Sequence, residues 1–202
     1  MTGPSSIARW LSAQRSSGLI CVPDTPRAID DATALRLGEA ARAVHIDPVI
    51  VSRDRAMARV AGLAAEAGAH VQLHGGEDGV YIAQLRKQLP AQAEIWAAIP
   101  VSDQVGEARE GSDRSLFDTS VGGRSGGTGR SFDWSLVAGR PELADGLLAG
   151  GIGPANARRA AATGAFALDV GSSVESRPGR KDPAKVAALL EALRPADRRE
   201  AA

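Results

Sequence analysis

Cysteine is nearly absent: Cys21 is the single thiol in 202 residues. That excludes an internal disulfide and a metal site built from several thiolates, and no metal is expected. Net charge is absent as well, since 24 basic side chains balance 24 acidic ones. A dedicated nucleic-acid binder would carry a basic excess, so no nucleic-acid partner is expected. Aromatic residues make up only 3% of the chain. No apolar run approaches the roughly 18 residues that span a bilayer, and the N-terminus lacks a signal-peptide apolar region. The expectation is no membrane partner and a cytoplasmic address. What remains is ordinary globular composition, 44% hydrophobic and 24% charged, with enough chain for one domain and its core. Glycine stands apart: there are 23, and they cluster in the second half of the chain.

Short β-like apolar runs alternate with segments of helical period from end to end. Strands are expected at Gly18 to Val22, Val49 to Ser52, Ala69 to Leu73, Ile95 to Ile99, Ser115 to Asp118, Gly146 to Ala149 and Phe166 to Val170. Helices are expected over Ser5 to Gln14, Asp30 to Val44, Arg53 to Ala67, Glu77 to Leu89, Pro154 to Thr163 and Pro183 to Leu193, with a short one near Asp133. Apolar strands alternating with helices imply parallel pairing under a helical cover. An open doubly wound sheet and a closed β/α barrel both satisfy this pattern. A dinucleotide fingerprint would put glycines after the first strand, and none is there. The glycines follow late strands instead, where β/α barrels build phosphate sites.

The expected fold class is therefore α/β, a (β/α)8-type TIM barrel of parallel strands ringed by helices. It is read as one domain over residues 1–193 with a charged tail over 194–202. The pattern yields about seven strands and opens on a helix, so the first strand of the eight is expected to be missing. A gap leaves two unpaired edges, which the fold must cover. The sheet closes around seven strands, the N-terminal residues fill the gap, or a second copy of the chain covers it. Met1-Thr2-Gly3-Pro4 is poor in β-formers, which favours direct closure or a homo-oligomer.

Two glycine-bearing strand ends suit a phosphate. Gly150-Gly151 runs into the segment of Pro154 and Asn156, and Gly171-Ser172-Ser173 follows the last strand. Small residues there let backbone N–H groups approach an anion, although glycine after a strand is also an ordinary turn. Asp118 ends the run Ser115-Leu116-Phe117, where a barrel strand points into the active-site mouth. It suits a general acid or base, or equally a loop cap bonded to its own backbone. His74 ends a strand at the same face, as a participant or as a hydrogen-bonded neighbour of the site. His45 and His70 flank strand starts, and Trp96 and Trp134 lie in apolar contexts that suit packing.

An ordered set of motifs resembles the phosphoribosylanthranilate isomerase family. It comprises Thr25-Pro26-Arg27, Val71-Gln72-Leu73-His74-Gly75, Phe117-Asp118-Thr119, Gly126-Gly127-Thr128-Gly129 and Phe132-Asp133-Trp134. It continues in Leu148 to Asn156, Asp169 to Ser176 and Pro178-Gly179-Arg180-Lys181-Asp182. The resemblance implies an eight-stranded barrel that performs an Amadori rearrangement in tryptophan biosynthesis without metal or organic cofactor. Asp118 matches the family's general acid, and Arg27 its arginine near the anthranilate. His74, Gly126 and Gly127 are expected on the substrate, with Gly150, Gly151, Ser172 and Ser173 on its phosphate.

Two departures from the family pattern matter. Ser173 stands where the family has glycine; its hydroxyl adds a phosphate bond or its Cβ obstructs the loop. The family's base is a cysteine in a Lys-Ile-Cys-Gly run ending the first strand, and this chain is expected to begin just after it. Cys21 lies one strand later, either a buried small hydrophobe or a replacement base. Three functions follow: the isomerase, a relative that binds a phosphorylated sugar or aromatic ligand without turnover, and a relative recruited to different chemistry.

Overall fold

The structure, a computed structural model, describes residues 16–121, 124–125 and 131–194. The helix expected over Ser5 to Gln14, the loop residues Gly126 and Gly127 and nearly all of the expected tail lie outside the described residues. Seven parallel strands form the framework in the order β1-β2-β3-β4-β5-β7-β8. They are β1 (Ser16–Ile20), β2 (Asp47–Ser52), β3 (His70–Leu73), β4 (Ile95–Val101), β5 (Arg114–Val121), β7 (Leu147–Leu148) and β8 (Ala167–Leu168). A two-residue strand, β6 (Arg124–Ser125), pairs antiparallel with β5. Six α-helices accompany them: α1 (Asp31–Ala43), α2 (Met57–Ala67), α3 (Gly79–Arg86), α4 (Pro141–Ala144), α5 (Ala157–Ala161) and α6 (Pro183–Leu193).

Strand alternation sorts the core into two layers. Val49, Trp96, Ala98, Leu116, Leu147, Ala149 and Ala167 pack together on the inner face. Leu19, Ile50, Val71, Leu73 and Ile95 turn the other way, against Ala34 of α1, Val60 and Ala64 of α2, and Ile82 and Leu85 of α3. Further round, Ile99, Phe117 and Leu148 meet Trp134, Val137, Leu143 and Ala160. The sheet is curled. Gln72 on β3 donates to Asp169 just after β8 at 3.2 Å, although four strand spacings, about 19 Å in a flat sheet, separate those strands.

Among the described residues, β1 and β8 do not pair. The expected direct closure around seven strands is therefore not found there. A side-chain strap joins the two ends instead. Arg27, after β1, donates from Nε and Nη2 to both oxygens of Glu175 at 2.8–3.1 Å. Glu175 opens a small antiparallel hairpin, β9 (Glu175–Arg177) with β10 (Arg180–Lys181). Its Pro178-Gly179 turn, with Gly179 at φ 77°, is a readable turn signal that the strand-and-helix alternation conceals.

Helix starts follow their caps. Asp30 accepts from Thr33 N–H at 2.7 Å, Asp78 from Tyr81 N–H at 2.8 Å, and Asp182 from Ala184 N–H at 2.9 Å, each neutralising an orphan donor. The helix expected from Arg53 begins only at Met57, because Asp54 takes a left-handed turn at φ 50°. Glu77 is likewise outside α3, its carboxylate drawn into that same turn.

Candidate active site

The C-terminal ends of the strands form the mouth of the curled sheet. Continuing the register places Asp118 of β5 and the residues after β7 and β8 on one level of the inner face. Asp118 is 4% exposed. One of its oxygens accepts the N–H of Thr119 at 2.8 Å, so it lies in the mouth and also caps its own backbone. Burial is the main influence on its carboxyl, reinforced by the charge of Asp169 and opposed by the Thr119 N–H and Arg53. The outcome is a pKa pushed up to about 7. Such a group holds a proton close to neutral pH and can release it there.

His74 follows β3 on the same inner face, with its N–H bonded to Ser52 O at 2.8 Å. Burial holds its imidazole down to about 4; Asp169 opposes that, and Arg53 and Arg109 add to it. At neutral pH the ring is therefore uncharged and serves as a hydrogen-bonding group. Gln72, two residues earlier on the same face, bonds Asp169 across the curl.

The glycine cradle lies after β7. Gly150 and Gly151 have φ 87° and 66°, which favours glycine at both. A Cβ at Gly150 would run into Thr119 Oγ1. Asn156 ties the turn, donating to Gly151 O at 3.0 Å and accepting from Gly153 N–H at 2.8 Å. No acceptor among the described residues takes the N–H of Gly150 or Gly151. Ser172 opens a short 3-10 turn, Ser172–Val174. The Ser173 hydroxyl donates to Ile152 O, which staples the β8 loop to the β7 loop. That bond corrects the picture of a hydroxyl turned toward a phosphate: the Ser173 side chain is a staple.

Arg27 stands at the mouth but is straddled by Glu175, whose side chain is 5% exposed. Burial raises the Glu175 pKa, yet Arg27 and Lys181 hold it below the usual carboxylate range. Cys21 is not brought to the site. It is 2% exposed and packs in the helix-facing layer with Ala34 and Val60. Burial raises its thiol pKa, and the charges it feels belong to Arg55, Asp31, Arg59 and Asp30 around α1 and α2. A protonated thiol on the far side of the sheet is no base for the mouth. Cys21 thus stands corrected to a core residue.

Three residues without a role in the sequence reading stand in this mouth: Gln72, Asp169 and Arg53. The two-residue spacing of Gln72 and His74 signals a polar inner face at the end of β3. Nothing local signals that Asp169 meets Gln72, 97 residues away. Among the described residues, no group of three or more His, Cys, Asp or Glu is arranged to hold a metal, and no helix is long and apolar enough to cross a membrane.

The family model for N-(5'phosphoribosyl)anthranilate (PRA) isomerase matches residues 2–192. The tryptophan biosynthesis protein TrpCF of Vibrio cholerae is 41% identical over 179 residues, covering 88% of this chain and 37% of that one. The chain thus spans less than half the length of such TrpCF relatives. The N-(5'-phosphoribosyl)anthranilate isomerase of Cereibacter sphaeroides is 34% identical, covering 88% of this chain and 87% of that one. Among solved structures, phosphoribosyl anthranilate isomerase from Thermus thermophilus aligns with TM-score 0.73 and 29% identity, over 88% of this chain and 86% of that one. TrpF from Jonesia denitrificans aligns with TM-score 0.70 and 30% identity, over 96% and 93% of the two chains. By sequence and by fold, this chain belongs to the N-(5'-phosphoribosyl)anthranilate isomerase family.

Proposed function

We propose that the chain catalyses the Amadori rearrangement of N-(5-phosphoribosyl)anthranilate to 1-(2-carboxyphenylamino)-1-deoxyribulose 5-phosphate in tryptophan biosynthesis. The observation that carries this reading is Asp118, a buried carboxyl at the barrel mouth whose pKa of about 7 lets it hold a proton at neutrality. Asp118 gives that proton to the furanose ring oxygen. The bond from C1 to that oxygen breaks, its electron pair stays on oxygen, and the nitrogen lone pair forms the C1=N double bond. The new Asp118 carboxylate is stabilised by the Thr119 N–H and by the positive charge of Arg53. Loss of the C2 proton then gives an enolamine, which tautomerises to the ketone. Gly150, Gly151 and Ser172 receive the phosphate, and Arg27 and His74 face the remainder of the substrate.

Abstraction of the C2 proton needs a base, and Cys21 does not supply it. This favours a second reading, a relative that binds the phosphorylated ligand without turnover. One experiment separates the two. The 202-residue chain and a form extended by a strand ending in Lys-Ile-Cys-Gly are assayed for conversion of phosphoribosylanthranilate and for rescue of a tryptophan auxotroph. Turnover by the extended form, lost in its Asp118→Asn variant, supports the isomerase. Tight ligand binding with no turnover in either form supports the binder and sinks the isomerase.

A further inference from the structure

The rearrangement proposed above moves two protons: one is given to the ring oxygen and one is taken from C2. Asp118 gives the first, and Cys21, in the helix-facing layer of the sheet, does not take the second. A second carboxylate stands across the mouth from Asp118. We infer that Asp169, at the end of β8, is a further catalytic residue, the general base that removes the C2 proton in this chain. The inference rests on the isomerase reading and names a role within its site.

Register is the first support. Phe117 pairs with Leu148 and Leu148 with Leu168. The ladder runs one residue further: Ala149 N–H donates to Phe117 O and Asp169 N–H to Leu148 O, both at 2.8 Å. Asp118, Ala149 and Asp169 therefore stand on one level of three adjacent strands. Period-two alternation from the inner-face residues Leu116, Leu147 and Ala167 turns all three side chains into the mouth. Two strand spacings, about 10 Å along a flat sheet, separate the outer pair, and the curl turns their carboxylates toward each other over the methyl group of Ala149. The ring oxygen and C2 are both bonded to C1, so an acid and a base that face each other across the sugar reach neighbouring atoms. Gly150 and Gly151, the proposed phosphate cradle, follow Ala149 directly, which tethers the sugar between the two carboxylates.

Orientation and charge are the second support. Gln72 is buried on β3, and its Nε2 donates to Asp169 Oδ2 at 3.2 Å from across the mouth. A neutral amide orients the carboxylate without the charge neutralisation that an arginine brings. The charge of Asp169 raises the pKa of Asp118, so the two carboxyls act on each other. Once Asp118 has given up its proton, two negative charges face each other, and protonation of Asp169 relieves that repulsion. His74 is less suited to the task, because burial, Arg53 and Arg109 all oppose a positive charge on its ring. The step balances. Asp169 bonds the C2 proton, the C2–H electron pair becomes the C1=C2 double bond, and one pair of the C1=N bond returns to nitrogen. The enolamine then takes a proton at C1 from Asp169 and loses its O2 proton to Asp118, so both carboxyls end as they began.

The test uses N-(5-phosphoribosyl)anthranilate deuterated at C2 and, for binding, reduced 1-(2-carboxyphenylamino)-1-deoxyribulose 5-phosphate. The 202-residue chain is expected to turn over with a primary isotope effect. Asp169→Asn should lower its kcat by roughly 10²–10⁴-fold while affinity for the reduced probe stays within about threefold, the signature of a group that acts in the transition state. In the form extended by a strand ending in Lys-Ile-Cys-Gly, where a thiol takes over as base, the same substitution should cost less than about tenfold. A purely structural role predicts equal losses in the two forms. No turnover by the unextended chain, parity of Asp169→Asn with its parent, or equal losses in both forms overturns the inference. Turnover by the extended form then leaves the isomerase reading intact, and no turnover in either form overturns both. Melting curves show whether Asp169→Asn is folded. If it is not, Asp169→Glu decides: kcat lower by about tenfold or more with a larger isotope effect and unchanged probe affinity supports the inference, and an unchanged kcat overturns it.

Discussion

The two ends of the strands treat their carboxylates in opposite ways. At the N-terminal end, Glu94 accepts from Arg114 Nε and Nη2 at 2.8 and 2.9 Å and from Trp96 Nε1 at 2.7 Å. Asp113 nearby accepts from Ile95 N–H at 2.6 Å and pairs with Arg86. His70 stacks on Trp96 with centroids 5.6 Å apart and accepts Glu94 N–H at 2.9 Å. At the C-terminal end, Asp118 is buried, accepts the Thr119 N–H and feels the charges of Asp169 and Arg53. Burial opposes ionisation of both Glu94 and Asp118. Partners overcome it at Glu94, whose pKa falls, whereas a like charge compounds it at Asp118, whose pKa rises. One end pairs its carboxylates into ionised forks, and the other leaves Asp118 with a raised pKa, the pattern expected of a group proposed to transfer a proton.

The comparison breaks most visibly at Asp118. Asp118→Asn in a turnover-competent form should lower kcat by roughly 10²–10⁴-fold while affinity for a phosphorylated analogue changes little, measured by steady-state kinetics and calorimetry. Parity with the parent would remove Asp118 from the mechanism. The same variant has a stability signature. A carboxyl raised from 3.8 to about 7 by folding stabilises the fold below its unfolded pKa, and that contribution is lost as pH rises through about 7. Asp118→Asn should therefore flatten the decline in denaturation midpoint between about pH 4 and pH 7.

Gly151→Asp comes next. It puts a carboxylate where backbone donors would meet a dianion, and should weaken phosphorylated ligands by roughly tenfold or more. A phosphate-free analogue that binds as tightly as its phosphorylated counterpart would show that the cradle after β7 serves something else.

At the opposite end, Glu94→Gln leaves the Arg114 fork without its charge partner. The expected cost is about 1–3 kcal/mol of stability with kcat unchanged, read from urea unfolding and kinetics. The sign with pH is the reverse of that at Asp118. A lowered Glu94 pKa contributes stability above the unfolded value of 4.5, and that stability is lost as pH falls through the folded pKa. The variant and the parent should therefore converge in strong acid. A fall in kcat would mean that the two ends are not separable.

Cys21→Ala should do least, costing on the order of 1 kcal/mol and leaving activity within about twofold. A large loss of turnover without loss of stability would return the thiol to the chemistry.

Much of the fold is legible in the sequence because its signals are local. Seven strands stand where apolar runs alternate with helical periods, and Asp30, Asp78 and Asp182 mark helix starts through bonds that reach two or three residues. Boundaries fail where a distant group intervenes. Arg53 to Ala56 reads as helix until Gly76 and Glu77, more than twenty residues on, hold Asp54 left-handed. The Pro178-Gly179 hairpin is hidden because its strands are only two and three residues long.

The candidate site divides in the same way. Residue type and position at strand ends single out Asp118, His74, Gly150 and Gly151 from sequence alone, since period-two alternation and glycine's access to positive φ are properties of the chain itself. The face on which Cys21 lies, the staple role of Ser173, the Arg27–Glu175 strap and the approach of Asp169 to Asp118 were settled by tertiary structure. Each depends on how far the sheet curls and which strands it brings opposite one another. The strap joins residues 148 apart and the Gln72–Asp169 bond residues 97 apart, and no local pattern reports whether such groups meet. The proton held at Asp118 follows from that meeting: its burial and the like charge beside it exist only once the strands have curled.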